Sequence, residues 1–307
     1  MAAGAGGVPR PLRAGAPCEA RARLRALLAR PTATLLPGAA DALTARLVEE
    51  AGFEACYVTG SGIANAQFGI ADVGLVSLAE VAQQAARIAA ATRLPVVVDA
   101  DTGYGNPLNV MRTVAELERA GVAAIQLEDQ VTPKRCGHFT GKEVIPTEEM
   151  IAKLEAAREA RGDSGLVLIA RTDAAAVLGF DAAVERARAY VAAGADVLFV
   201  EAPRTVDELR RIPRELPGVP HIVNVVVGGL TPVLPRAELE ALGFRLILYA
   251  GLALQAAALA VRDALRHLAE HGDPSGMQDR ILSFAARQAL VDLPAVEALE
   301  RRFGAQH

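Results

Sequence analysis

The residues with the clearest chemical potential in this sequence lie in a polar loop that follows an apolar segment. Lys134, Arg135, Cys136, Gly137 and His138 place a thiol, two cations and an imidazole side by side. Neighbouring cations lower the pKa of a thiol, and such clusters are common at catalytic sites. The same residues also fit a solvated basic loop with an incidental cysteine, so the loop needs a second observation before it indicates a site.

That second observation is a pair of acids at the end of an apolar run. Asp99 and Asp101 follow Val96-Val97-Val98. Residues two apart in a strand face the same side, so we expect both carboxylates at one site. Adjacent carboxylates repel each other unless a cation lies between them, and oxygen ligands without a His pair or a thiolate set favour Mg²⁺ or Mn²⁺ over zinc. Glu128 and Asp72 are candidates for holding the waters of this metal.

Both clusters belong to a regular alternation of apolar, strand-like runs and amphipathic helical patterns. Eight such runs predict an α/β fold, a (β/α)8 barrel of the TIM type. An open doubly wound sheet is the alternative, but the Gly-rich phosphate turn expected after its first strand does not occur. The predicted strands are 34–36, 55–59, 95–101, 123–129, 166–173, 197–201, 221–226 and 245–249.

The helical patterns indicate one domain with an extension at its C-terminal end. No boundary is apparent within 30–270, so we predict a single domain over 18–307, preceded by a disordered leader over 1–17. Helix continues to Phe303, further than closure of a barrel requires, and this extension is predicted to pack on a neighbouring subunit. The predicted helices are 18–29, 42–51, 78–91, 110–120, 147–161, 181–193, 206–216 and 252–271.

Composition limits the classes of partner. A net charge of −4 and the absence of Trp argue against nucleic-acid binding and against an aromatic stacking surface. The three cysteines, Cys18, Cys56 and Cys136, show no disulfide pattern and indicate a reducing compartment. No apolar run has the length and character of a membrane span. The sequence therefore predicts a cytoplasmic protein with a small-molecule partner.

Polar residues end most of the predicted strands. In a (β/α)8 barrel, the side chains that perform chemistry gather at the C-terminal ends of the strands. A single acid there usually caps a helix or pairs with a cation, but capping does not explain so many strand ends together. Arg171 and Asn224 could hold a substrate carboxylate, because a guanidinium fork matches that group. The strand-end residues are Thr59 and Ser61, Asp99 and Asp101, Glu128 and Asp129, Arg171 and Asp173, Glu201, Asn224 and Tyr249.

Taken together, these motifs resemble those of the isocitrate lyase and phosphoenolpyruvate mutase superfamily, over about Leu36 to Phe303. The resemblance implies a Mg²⁺-dependent barrel, usually a homotetramer, whose last barrel helix is exchanged between neighbouring subunits. It also implies that the cysteine loop closes over the substrate. The motifs are Thr59-Gly60-Ser61-Gly62, Val98-Asp99-Ala100-Asp101-Thr102-Gly103-Tyr104-Gly105, Leu127-Glu128-Asp129-Gln130, Lys134-Arg135-Cys136-Gly137-His138, Ala170-Arg171-Thr172-Asp173 and Phe199-Val200-Glu201-Ala202.

The intact cysteine motif favours the lyase branch of this superfamily. The implied reaction is retro-aldol cleavage of a metal-bound 2-hydroxy carboxylate, in which Cys136, flanked by Lys134 and His138, protonates the carbanion as a general acid. The base is not identifiable from the sequence, and Tyr57 and Glu201 are the candidates. The groups expected to hold carboxylates and developing charge are Arg171, Asn224 and the backbone of Thr59, Gly60, Ser61 and Gly137.

Departures from the motifs indicate the substrate. Methylisocitrate lyases carry Arg residues that align with Gln255 and near Phe284, so a tricarboxylate would lack its cations here. We therefore expect a 2-alkylmalate or dimethylmalate-like dicarboxylate. The alternatives are a phosphonomutase, an oxaloacetate decarboxylase-like enzyme, and a non-catalytic binding barrel. The residues predicted to line a pocket for the alkyl group are Val225, Val227, Leu252 and Leu254.

Overall fold

The computed structural model describes residues 8–9, 12, 17–137 and 141–304. Eight parallel strands form a closed barrel in chain order, and the last strand pairs with the first. The predicted fold class is confirmed, whereas the predicted leader lies almost entirely outside the described residues. The strands are β1 (Thr34–Ala39), β2 (Cys56–Val58), β3 (Val96–Asp99), β4 (Ala124–Glu128), β5 (Val167–Thr172), β6 (Val197–Val200), β7 (His221–Asn224) and β8 (Leu246–Tyr249).

Helices surround the strands and continue past the eighth one. Among the described residues, no helix has the length and apolar character needed to cross a membrane. The helices are α1 (Pro17–Leu28), α2 (Ala42–Glu50), α3 (Gly60–Phe68), α4 (Leu78–Ala91), α5 (Pro107–Arg119), α6 (Thr147–Arg161), α7 (Ala174–Val177), α8 (Phe180–Ala192), α9 (Val206–Glu215), α10 (Arg236–Leu242), α11 (Leu252–His271), α12 (Phe284–Leu290) and α13 (Leu293–Phe303).

Local sequence signals account for where several helices begin. Ser77 caps α4 in a reciprocal arrangement with Glu80, and Asn106 does the same for α5, whose first residue is Pro107. Helix α3 was not predicted, because Gly60-Ser61-Gly62 is typical of a loop. It begins there because Thr59 Oγ1 accepts a hydrogen bond from the N–H of Gly62 at 3.2 Å.

Helix α1 covers the barrel at the N-terminal ends of the strands. Leu24 and Leu27 are buried against side chains of the barrel interior. Arg21 donates to the carbonyl of Val122 at 3.3 Å and pairs with Glu118 at 3.1 Å. This plug leaves the C-terminal ends of the strands as the end where a substrate can enter.

The C-terminal extension buries little of its apolar surface within one chain. None of the described residues of α11 is buried, and Leu265 is 61% exposed. The extension is held to the barrel through Arg46 of α2, which donates to the carbonyl of Leu290 at 2.9 Å and pairs with Asp292 at 2.8 Å. The exchange of a helix between subunits stays a prediction.

Candidate active site

A polar cavity opens at the C-terminal ends of the strands, and it contains about 410 Å³ of empty space, part of it open to solvent. Most of the residues predicted from the sequence meet there, whereas His138 lies outside the described residues. Gly60 and Asp101 do not line the cavity directly, although Gly60 adjoins the carboxylates of both Asp99 and Asp101. The lining residues are Tyr57, Thr59, Ser61, Asp72, Asp99, Glu128, Lys134, Arg135, Cys136, Gly137, Arg171, Glu201, Asn224, Leu248 and Ala250.

The first charged group of the cavity is centred on Lys134. Its Nζ lies 2.6 Å from Asp72 Oδ1 and 2.9 Å from Asp101 Oδ1. Burial lowers the pKa of Lys134, but the carboxylates around it outweigh that effect and raise the pKa well above its usual value. Lys134 therefore serves as a fixed positive charge among the acids.

Asp101 is brought to this group by a turn rather than by a strand. Strand β3 ends at Asp99, and Asp101 has a φ of 48°, in the left-handed region. The prediction that both acids lie on one strand is therefore wrong, although the two side chains do meet. A Cβ atom on Gly60 would lie 3.2 Å from Asp99 Oδ2 and 3.3 Å from Asp101 Oδ1. The start of α3, with its partial positive charge, thus faces both carboxylates.

The acid group has an excess of negative charge. Asp99 Oδ1 accepts from Gln126 Nε2 at 3.2 Å, and no ion pair among the described residues involves Asp99. Glu128 Oε1 is buried without a hydrogen-bond partner in the described part of the chain. Burial, opposed by Lys134 and reinforced by Asp99, raises the pKa of Asp101 to about 7. Both the unsatisfied oxygen and the raised pKa indicate that a further cation would be favoured here.

The described residues contain no group of three His, Cys, Asp or Glu side chains arranged as metal ligands. This does not conflict with a magnesium site, because Mg²⁺ usually keeps several waters and is bound by one or two carboxylates. Asp99 and Asp101 supply such a pair, and Glu128 and Asp72 are placed to hold waters. The residues present therefore fit Mg²⁺ or Mn²⁺.

The second charged group is centred on Arg171. Its Nε lies 2.8 Å from Asp173 Oδ2 and 3.3 Å from Glu128 Oε2, and its Nη1 lies 3.2 Å from Glu201 Oε2. Burial lowers the pKa of Arg171, but Asp173, Glu201 and Glu128 raise it well above its usual value. The guanidinium is thus held in one orientation on the cavity wall. Asn224 lies at the end of β7, two strands away, and its Oδ1 has no hydrogen-bond partner among the described residues.

The cysteine loop packs tightly over this second group. A Cβ atom on Gly137 would lie 2.5 Å from Arg171 Nη2 and 2.7 Å from Glu201 Cγ, so only glycine allows the backbone to approach so closely. On the other side of Cys136, Gln130 forms two hydrogen bonds of 2.9 Å with the backbone N–H and carbonyl of Arg135. The half-buried Cys136 is therefore placed at the cavity by contacts on both sides.

Tyr57 is not suited to act as a base. Its hydroxyl donates to Gln126 Oε1 at 3.0 Å. Burial and the charge of Asp99 raise the pKa of Tyr57 well above its usual value, so the phenol stays protonated. Glu201 is the remaining one of the two candidates for the base.

The predicted alkyl pocket is wrong. Val225 is buried in the core between the strands and the helices, Val227 is 68% exposed and Leu252 is 53% exposed, and none of the three lines the cavity. Leu254 is absent from the cavity wall too. The aliphatic side chains that do line the cavity are Leu248 on β8 and Ala250 directly after it.

Several residues that shape the site carry no signal in the sequence. Gln126 and Gln130 lie in and after an apolar strand, and their side-chain partners depend on neighbouring strands. Lys142 is buried beside Asp173 although it lies in a polar loop. Leu248 could have been found from the barrel geometry, because alternate residues of a strand face the interior.

The structure is a closed (β/α)8 barrel whose buried acids, fixed guanidinium and thiol lie at the C-terminal ends of the strands. This arrangement is typical of (β/α)8-barrel enzymes, and the guanidinium suits an anionic substrate. The sequence matches the family described as phosphoenolpyruvate phosphomutase over residues 24–269. The chain belongs to this family, within the phosphoenolpyruvate mutase and isocitrate lyase superfamily, as its motifs predicted.

Two relatives with similar sequences are named as lyases. The chain is 42% identical to 2,3-dimethylmalate lyase of Eubacterium barkeri, over 92% of this chain and 97% of the relative. It is 47% identical to a protein of Corynebacterium glutamicum named probable 2-methylisocitrate lyase 1, over 85% of each chain.

Solved structures agree in fold. One is of oxaloacetate acetylhydrolase with 3,3-difluorooxalacetate bound, with a TM-score of 0.89, 34% identity and coverage of 94% of this chain and 98% of that one. Another is of phosphonopyruvate hydrolase with oxalate and Mg²⁺, with a TM-score of 0.82, 32% identity and coverage of 92% and 98%.

Proposed function

We propose that this protein is a Mg²⁺-dependent carbon–carbon lyase that cleaves a 2-hydroxy dicarboxylate to a 2-keto acid and a carboxylic acid. The observation that carries the proposal is the cavity itself, which is lined by Asp99, Glu128 and the Cys136 thiol. Asp101, the second acid of the pair suited to a divalent cation, adjoins the cavity through Lys134, 2.9 Å away. The similarity to 2,3-dimethylmalate lyase supports the same activity.

Asp99 and Asp101 would bind the Mg²⁺ ion, and Glu128 and Asp72 would accept hydrogen bonds from the water molecules that the ion keeps. When bound, Mg²⁺ would hold the substrate's hydroxyl and adjacent carboxylate and make the hydroxyl more acidic. The phosphonopyruvate hydrolase structure, which contains Mg²⁺ and oxalate, supports this assignment because oxalate offers a similar pair of oxygens.

The residues of the chain account for the proton transfers. Glu201 would accept the proton of the substrate hydroxyl, and the carbon–carbon bond would break as that hydroxyl becomes the C=O of the keto acid. The electrons of the broken bond would remain on the α-carbon of the second product, next to its carboxylate. Cys136 would then donate its proton to that carbon. Arg171 and Asn224 would hold the substrate carboxylates, since a guanidinium and an amide can both donate to carboxylate oxygens.

The cavity has a charged side and an aliphatic side. Asp99 and Glu128 end β3 and β4, whereas Leu248 lies on β8, which is four strands from β4 in either direction around the barrel. A substrate held by its hydroxy-acid end at the charged side would therefore direct its other end towards Leu248 and Ala250. An alkyl substituent suits that wall better than a further carboxylate, which would be buried without a cation. This supports a 2-alkylmalate or dimethylmalate-like substrate.

Substitution of Leu248 tests this orientation. We expect Leu248→Ala to lower the ratio of kcat/KM for dimethylmalate to that for malate by about tenfold, the scale of a lost methyl contact. Steady-state kinetics with both substrates measure the ratio. Ile247→Ala is the matched control, because Ile247 is buried on the outer face of the same strand and should leave the ratio unchanged. A kcat/KM for methylisocitrate well above that for both dicarboxylates would contradict the assignment.

A second candidate function is that of a phosphonomutase, because the matching family is described as phosphoenolpyruvate phosphomutase. That reaction moves a phosphoryl group between oxygen and carbon and needs no thiol acid. Phosphorus NMR of the enzyme with a phosphonate substrate separates the two, since a lyase leaves the phosphorus spectrum unchanged.

The protein is further proposed to be a cytoplasmic homotetramer that exchanges its last barrel helix. The exposed apolar side chains of α11 support an association between subunits, because exposed apolar patches usually mark interaction surfaces. We expect native mass spectrometry to give four chains, and Leu265→Glu to reduce that number. A wild-type protein that stays monomeric at micromolar concentration would contradict the proposal.

A further inference from the structure

Lys142 is a buried cation that the proposed reaction does not use. Its side chain is 2% exposed, and it does not line the cavity. Its Nζ donates hydrogen bonds to the carbonyl of Gly137 and to Asp173 Oδ1, the latter at 2.9 Å. A buried ammonium group is unfavourable unless it is paired, so these two contacts determine where Lys142 lies.

The carboxylate that receives Lys142 is itself firmly fixed. The backbone N–H of Asp173 donates to Asp129 Oδ1 at 2.9 Å. Asp129 Oδ2 also accepts from Tyr190 at 2.8 Å and from Thr172 at 2.7 Å, so both carboxylate oxygens of Asp129 are hydrogen-bonded. Asp173 therefore belongs to a hydrogen-bonded network that reaches from the end of β4 to α8, and neither Asp173 nor Asp129 lines the cavity.

The same Asp173 carboxylate orients the guanidinium of Arg171. Asp173 Oδ2 lies 2.8 Å from Arg171 Nε, and Asp173 Oδ1 lies 3.0 Å from Arg171 Nη2. One carboxylate therefore holds Arg171 on one side and Lys142 on the other. Through Lys142 it also holds Gly137, the residue that follows Cys136.

We propose that Lys142 is a positioning residue that fastens the cysteine loop to the Asp173–Arg171 pair. Gln130 holds the loop before Cys136, and Lys142 holds it after Cys136. The position of the thiol and the orientation of the substrate-binding guanidinium are thereby set by a single anchor. The role of the thiol as an acid rests on the proposed function, but the anchoring of the loop does not.

The accessibility of Cys136 measures this anchoring without any substrate. In a Cys18→Ser background, Cys136 is the half-exposed thiol, while Cys56 is fully buried and burial raises its pKa to about 12. We expect Lys142→Met to raise the rate at which a thiol reagent labels Cys136 by about tenfold or more, as expected when one charge-assisted hydrogen bond is lost. Methionine preserves the length of the side chain and removes its charge and its donors.

Lys153→Met is the matched control. Lys153 is also buried, at 3% exposure, and donates to the carbonyl of Thr102 at 3.2 Å rather than to a residue of 134–137. Both substitutions remove a buried cation, so both should lower the melting temperature, but only Lys142→Met should change the labelling of Cys136. We also expect Lys142→Met to lower kcat far more than it raises KM, because Arg171 keeps its contacts with Glu201.

A folded Lys142→Met protein whose Cys136 is labelled at the wild-type rate would overturn the proposal. Equal acceleration of labelling in both lysine variants would overturn it too, because the effect would then be general destabilisation. If Lys142→Met does not fold, the wild-type protein in sub-denaturing urea provides the test. Acetylation of Lys142 and acceleration of Cys136 labelling above its native rate should then begin at the same urea concentration, and onsets at different concentrations would contradict a shared anchor. A failure of lyase activity alone would leave these labelling results intact.

Discussion

Cys136→Ser is expected to retain substrate binding and to lower kcat by about two to four orders of magnitude, the contribution of a well-placed general acid. A serine hydroxyl is much less acidic than a thiol, so it delivers a proton to the carbanion far more slowly. In the structure, Lys134 is paired with Asp72 and Asp101, so the positive charge two residues before Cys136 is offset by two carboxylates. Single-turnover and steady-state kinetics with a dicarboxylate substrate measure the change.

The matched control is Cys18→Ser, the same chemical change at an exposed cysteine on α1 at the opposite end of the barrel. It should leave kcat within experimental error of the wild type. Thiol reagents should inactivate the enzyme, and substrate should protect it, because Cys136 lines the cavity. A Cys136→Ser enzyme with near-wild-type kcat would reduce Cys136 to a packing role.

The barrel and most of its site could be predicted because both depend on local pattern. Apolar runs of strand length give the strands, and the rule that chemistry lies at their C-terminal ends brings Asp99, Glu128, Arg171, Glu201 and Asn224 together without any further information. Helices α4, α6 and α11 begin and end where their amphipathic patterns do.

What could not be predicted depends on backbone turns and on contacts between distant segments. Asp101 reaches its site through a left-handed turn, which no periodicity reveals. Val225 follows β7 directly, but whether it faces the cavity or the helices depends on where the strand's alternation ends, and it faces the helices. Lys142 is separated from Asp173 by 31 residues, and only the fold shows that they form a pair.

Removal of the divalent cation is expected to abolish activity, and Mg²⁺ or Mn²⁺ should restore it. Asp101→Asn should lower kcat/KM by about three orders of magnitude or more, since a charged ligand of a catalytic metal is lost. Asparagine is the better replacement for the left-handed backbone at Asp101, because it adopts that conformation more readily than alanine does and preserves the side chain's volume. Coupled assays of keto-acid release, before and after chelation, measure the effect.

Thermal unfolding separates loss of the metal from loss of the fold. Mg²⁺ should raise the melting temperature of the wild type, because a ligand that binds only the folded state stabilises it, and it should not raise that of Asp101→Asn. The matched control is Asp196→Asn at the other end of the barrel, where Asp196 accepts from the backbone of Leu168 at 2.8 Å and pairs with Arg161. That variant should lose some stability and keep its full response to Mg²⁺, since its carboxylate lies far from Asp99 and Asp101. Normal turnover by the chelated, metal-free enzyme would contradict the mechanism. It would show that the reaction does not need a cation bound at the acid pair.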